Sequence, residues 1–69
     1  MAQENEHLKT LIAARESEVA HRREVANGLA EKHQRGHVQD MREAIVQIQN
    51  AIEAIDRAIA DEKSISSSI

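Results

Sequence analysis

One row of side chains constrains this chain more than any other. Val38, Met41, Ile45, Ile48, Ile52, Ile55 and Ile59 follow each other at alternating steps of three and four. That spacing is the a/d heptad repeat, which keeps one seam on one face of a helix. Ala44, Ala51 and Ala58 recur every seven residues beside it and widen the apolar strip to about three positions in seven. A strip that wide suits a helix inside a bundle better than a two-stranded zipper. Ile at both a and d leans away from a parallel dimer and towards higher assemblies. The seven seam residues are therefore the expected oligomer interface. Val46, Ala54 and Ala60 lie outside the seam, either as plain helix formers or as a second contact surface.

The first half is helical but less regular. Leu8, Leu11, Ile12, Val19, Val25, Ala26 and Leu29 make a stripe, interrupted at core-like positions by Arg15 and Arg22. Glu4 and Glu6 favour a helix start through the macrodipole. Glu18–Arg22, Glu31–Arg35 and Glu53–Arg57 are i,i+4 pairs of opposite charge. Asn27-Gly28 either ends the helix or sits within it at a cost of about 1 kcal/mol relative to Ala. Because Leu29 and Ala30 resume the stripe, a continuous or kinked helix is expected.

Between Glu31 and His37 there is no apolar residue. Gly36 suits the left-handed position that ends a helix, and Asp40 with Glu43 reads as a capping box opening the next one. The expected plan is a helix over 3–35, a turn over 36–38 and a helix over 39–63. Residues 1–63 then form a helical hairpin, and 64–69, "SISSSI", a flexible C-terminal tail. The fold class is all-α: an antiparallel helical hairpin assembling into a homo-oligomeric bundle. A turn near Gly36 pairs residues whose numbers sum to about 73 in such an antiparallel hairpin. Leu29 then faces Ala44, Arg22 faces Ala51, Arg15 faces Ala58 and Leu8 faces Ile65. Long arginines would lie across small alanines with their heads in water.

Composition adds the reason for assembly. The 69 residues include no Cys, Pro, Phe, Tyr or Trp. Disulfides and thiolate zinc sites are excluded, and no aromatic is present to stack on a nucleic-acid base. Aliphatic residues alone must build the core, and a chain this short usually needs a disulfide, a metal or oligomerisation. One hairpin half-covers its isoleucine seam; two packed together cover it, as in a four-helix bundle. The net charge is −3, with residues 1–37 balanced and residues 38–69 acidic. That split suits two helices packed on each other better than a nucleic-acid footprint. No apolar run approaches the roughly 20 residues of a transmembrane helix, and "MAQENEHLKT" has no signal pattern, so a cytoplasmic site is expected.

Candidate chemistry is sparse. His33 and His37 are four apart, the spacing of two zinc ligands on one helical face. "HQRGH" lacks the glutamate of a metalloprotease motif, however, and Gly36 favours a bend between the rings. The stretch therefore reads as a polar turn, and no metal or other cofactor is expected. The four histidines would add positive charge to the first half on acidification, although nothing fixes a carboxylate beside each. No Cys, no placed serine and no phosphate loop supports catalysis, and Asp61-Glu62 face different ways on a helix. An enzyme is not expected. Lys9, Arg15, Arg22, Arg23 and Arg42 form the only basic ridge and are the candidate ligand- or partner-binding residues. Their plainer role is ion pairing to Asp56, Asp61 or Glu62. Interleaved glutamates disfavour nucleic acid as a partner.

At "MREAIVQIQNAI", Met41 to Ile52, the second helix resembles that of phage anti-CBASS nucleotide-sponge proteins. Those proteins carry a helical hairpin domain shared with anti-Thoeris sponges. The resemblance covers about a sixth of the chain: Arg42, Glu43 and Ala44, the two aliphatics after them, and Ala51-Ile52. It implies compact oligomers of hairpins that sequester cyclic nucleotides between subunits. The family's aromatic stacking residue has no counterpart here. The expected function is thus a non-enzymatic, oligomeric helical binding protein of phage or mobile-element type, an inhibitor or adaptor of a host protein. The alternatives are a sponge holding cyclic nucleotides at subunit junctions and a small dimeric nucleic-acid-binding regulator.

Overall fold

The structure, a computed structural model, describes residues 5–31 and 38–67. They form two α-helices, α1 (Glu6–Ala30) and α2 (Val38–Ser67), packed against each other; there is no strand among the described residues.

Asn5 sets the start of α1. Its backbone is extended at φ −83° and ψ 101°, and its Oδ1 accepts the N–H of Leu8 at 3.0 Å. This satisfies one of the helix's orphan donors. The Asn5 Nδ2 meanwhile donates to Ser66 Oγ at 2.8 Å and to Glu62 Oε1 at 3.4 Å on α2. One side chain therefore caps the first helix and ties it to the end of the second.

α1 runs straight through Asn27-Gly28, where Gly28 keeps a negative φ, and ends at Ala30. Glu31 is extended at φ −81° and ψ 124°, and its N–H donates to Gly28 O at 3.2 Å. The expected range of 3–35 is corrected at both ends. Asn5 is an N-cap outside the helix, and beyond Ala30 no apolar side chain is left to hold another turn against α2. Gly36 and His37 lie outside the described residues.

α2 is helical from Val38, so Val38 does not belong to the turn. Asp40 sits inside the first turn, where its charge favours the helix N-terminus, rather than at the cap of a capping box. Gln39 Nε2 donates to Glu43 Oε1 at 3.4 Å instead. At its far end α2 continues to Ser67, past the expected limit of 63, and residues 64–67 are helical rather than a loose tail. Ser66 is held by Asn5, and Ser67 Oγ donates to Lys63 O at 2.8 Å, which ties the last turn to the one before it.

Residue numbers fall on α2 as they rise on α1, so the helices are antiparallel. The register differs from the expected one. Arg15 reaches Asp56 rather than lying over Ala58, and Arg22 reaches Gln49 rather than Ala51. A guanidinium gains more from an acceptor on the flank of the facing helix than from the surface of an alanine.

The molecule measures 54 × 17 × 11 Å, with a radius of gyration of 16.1 Å. A compact chain of this length would have a radius of about 11 Å. Its core is correspondingly thin. Ile52 is 2% exposed and Ile48 6%, and they are the only buried side chains among the described residues. Val38, Met41, Ile45, Ile55 and Ile59 are half-buried. α1 contributes no fully buried residue, because Arg15, Glu18 and Arg22 occupy positions on the face it turns to α2.

Candidate binding surface

Two of the five candidate cations are engaged between the helices. Arg15 and Arg22 turn towards α2. Arg15 Nε lies 2.5 Å from Asp56 Oδ1, and Nη2 lies 3.4 Å from Oδ2, a two-point pairing at a half-exposed site. The hydrogen bond to Asp56, and then its charge, hold the Arg15 guanidinium above its usual value, against a small opposing effect of burial. Arg22 is half-buried and donates through Nη1 to Gln49 Oε1 at 2.8 Å. Gln49 passes the chain on, donating to Glu53 Oε2 at 3.2 Å.

These two arginines therefore serve first as crosslinks of the hairpin. Lys9, Arg23 and Arg42 are exposed, on two different helices. Any anion drawn to this side meets Asp56 and Glu53 among the cations, which weakens a phosphate-tracking role.

The seam, expected as an oligomer interface, packs within the hairpin, with Ile48 and Ile52 buried at its centre and the remaining members half-buried. Alanines 44, 51 and 58 are half-buried along its flank. By helical geometry this flank is the one opposite Gln49 and Asp56. The two sides of the α2 seam thus differ in chemistry, one crossed by arginine bridges and the other lined by alanines. Ile12, Val46 and Ile65 are the large exposed aliphatics, at 41%, 59% and 57%.

An open cleft of about 390 Å³ lies at the Asn5 end, lined by His7, Thr10, Leu11 and Glu62. Among the described residues no group of three His, Asp or Glu side chains is placed to hold a metal ion, and no helix is long and apolar enough to cross a membrane. His33 and His37 lie outside the described residues.

Asn5 joins the start of α1 to the end of α2, a contact not anticipated from the sequence. An Asn just before the first apolar-periodic residue is an N-terminal cap signal that was present in the sequence. Its second grip, on Ser66, joins positions far apart in the chain and has no local signature.

Together these features define a two-helix antiparallel hairpin, bridged on one side of the α2 seam and lined by alanines on the other. No protein-family model, no characterised protein and no solved structure matches the chain.

Proposed function

We propose that this chain is a non-enzymatic binding module that works as an assembled helical bundle, covering a surface of a host protein as an inhibitor or adaptor. The supporting observation is the imbalance between its helices and its core: 55 helical residues, 25 in α1 and 30 in α2, bury only Ile48 and Ile52. A long apolar seam left half-covered favours association with other helices, since burial of each large aliphatic is worth about 1.5–3 kcal/mol. Helix surfaces of this kind recognise partners through anchors at i, i+3, i+4 and i+7 rather than through a pocket.

Affinity capture on the immobilised full chain, followed by mass spectrometry and then calorimetry with the purified candidate, tests the reading. A saturable partner is expected, with binding lost on charge substitution of exposed helix residues. Failure to retain any protein above a scrambled-sequence control would reject it.

A second reading is sequestration of cyclic nucleotides at subunit junctions, supported by Arg23 and Arg42, which stand exposed on α1 and α2. Titration with a panel of cyclic nucleotides tests it, and heats indistinguishable from dilution would end it.

A further inference from the structure

The dipeptide Asn27-Gly28 carries a chemistry that neither the fold nor the binding surface uses. An asparagine followed by glycine can cyclise on itself. The Gly28 amide nitrogen bonds to Asn27 Cγ, the Cγ–Nδ2 bond breaks and ammonia leaves, giving a five-membered imide. Water then opens the imide at either carbonyl, leaving aspartate or isoaspartate at position 27. Glycine favours the attack because no Cβ at 28 shields the nitrogen. The other asparagines, Asn5 and Asn50, precede Glu6 and Ala51 and lack that advantage.

A closed helix blocks this route. Within α1 the Gly28 N–H points at Glu24 O, so cyclisation needs that bond broken and the Asn27 ψ moved from its helical value. Asn27 is exposed and stands in the last turn of α1, which ends at Ala30. Glu31 is already extended. The last turn has no basic side chain to offset the negative end of the helix dipole. No residue of α1 is buried, and in this turn only Gly28 and Leu29 are even half-buried. At Gly28 the neighbour is the thioether end of Met41. A helix end with so few buried contacts opens at low free energy. Asn50 makes the contrast: it is also exposed, but buried Ile48 and Ile52 flank it in the middle of α2.

We propose that Asn27-Gly28 is a self-modification site gated by fraying of the last turn of α1, a one-way device that loosens this end of the hairpin as the chain ages. Either product puts a carboxylate at the negative end of the helix dipole. Isoaspartate also adds a methylene to the backbone, which throws the i→i−4 ladder out of step. Once cyclised, the turn does not close as before, and Met41 loses its seat against Gly28. Water is the sole co-reactant.

Incubation of the folded full chain in neutral buffer, followed by peptide mapping and mass spectrometry, tests this. Ala51→Gly supplies a second Asn-Gly in the same molecule, at 50–51 in mid-helix. Asn27 in that folded variant should lose its amide at least about tenfold faster than Asn50, and the two rates should converge in concentrated urea. Leu29→Ala, which weakens the last turn, should speed the reaction at Asn27. If Ala51→Gly does not fold, hydrogen exchange on the wild type decides, with the Gly28 amide at least about tenfold less protected than that of Ile52. A wild-type Asn27 that keeps its amide as long as Asn50 does would overturn the site. Equal rates at the two Asn-Gly pairs of the folded variant, equal protection of the two amides, or no acceleration by Leu29→Ala would overturn the gate.

Discussion

Replacing Ile52 with Ala probes the centre of the hairpin. Ile52 is 2% exposed, and only Ile48 shares its degree of burial among the described residues. Ile→Ala removes three carbons, worth about 0.8 kcal/mol each when buried. A residual cavity adds to this, while the better helix propensity of Ala returns a few tenths of a kcal/mol. The net loss should be about 3 kcal/mol. A chain of this length holds roughly 3.5–10 kcal/mol in all, so the variant should lose a large share of its folded population's margin. Its melting temperature should fall by about 12–24 °C. Thermal and urea unfolding followed by far-ultraviolet circular dichroism measure the loss, with Val46→Ala as control. Val46 is 59% exposed, and its truncation should stay within about 0.5 kcal/mol. If the two variants proved equally stable, the packing described for α2 would be wrong. A wild-type melting temperature that rises with protein concentration would show that assembly contributes to the same margin.

Other substitutions test other joints. Asn5→Ala should cost about 1 kcal/mol through the lost cap and should also speed amide exchange at residues 64–67, measured by hydrogen exchange; unchanged exchange there would sever the link to Ser66. Gly28→Ala should stabilise by a few tenths of a kcal/mol and at most about 1 kcal/mol, because Gly28 is helical in the last turn of α1 and the atom in the way is the movable end of Met41; destabilisation in a urea titration would mean that Met41 is pinned. Gln49→Ala should cost about 1–2 kcal/mol by leaving half-buried Arg22 without its acceptor, and a neutral result would show that the bond is not held in solution. The coupling between Arg15 and Asp56, measured by a double-mutant cycle, should be favourable at low salt and fade at about 1 M salt, because the pair is half-exposed; a coupling insensitive to salt would count against that picture.

What the sequence determined by itself was local. The seam from Val38 to Ile59 and its alanine flank follow from periodicity, and the lack of apolar residues between Glu31 and His37 separates two helices, although the end of α1 at Ala30 rather than at 35 was not read from it. They were legible because neighbours within a helix lie within about four residues of one another in the chain. Helix continuity through Asn27-Gly28 was also readable, since the apolar stripe resumes beyond it. The tertiary structure alone decided the register, the roles of Arg15 and Arg22, and the fate of residues 64–67. Each depends on a partner far away in sequence: Asp56, Gln49 and Asn5. Heptad spacing says that two faces meet, but not which rung meets which, because sliding one helix costs little until specific donors and acceptors are paired. Hydrogen bonds between side chains remote in the chain fix that choice here.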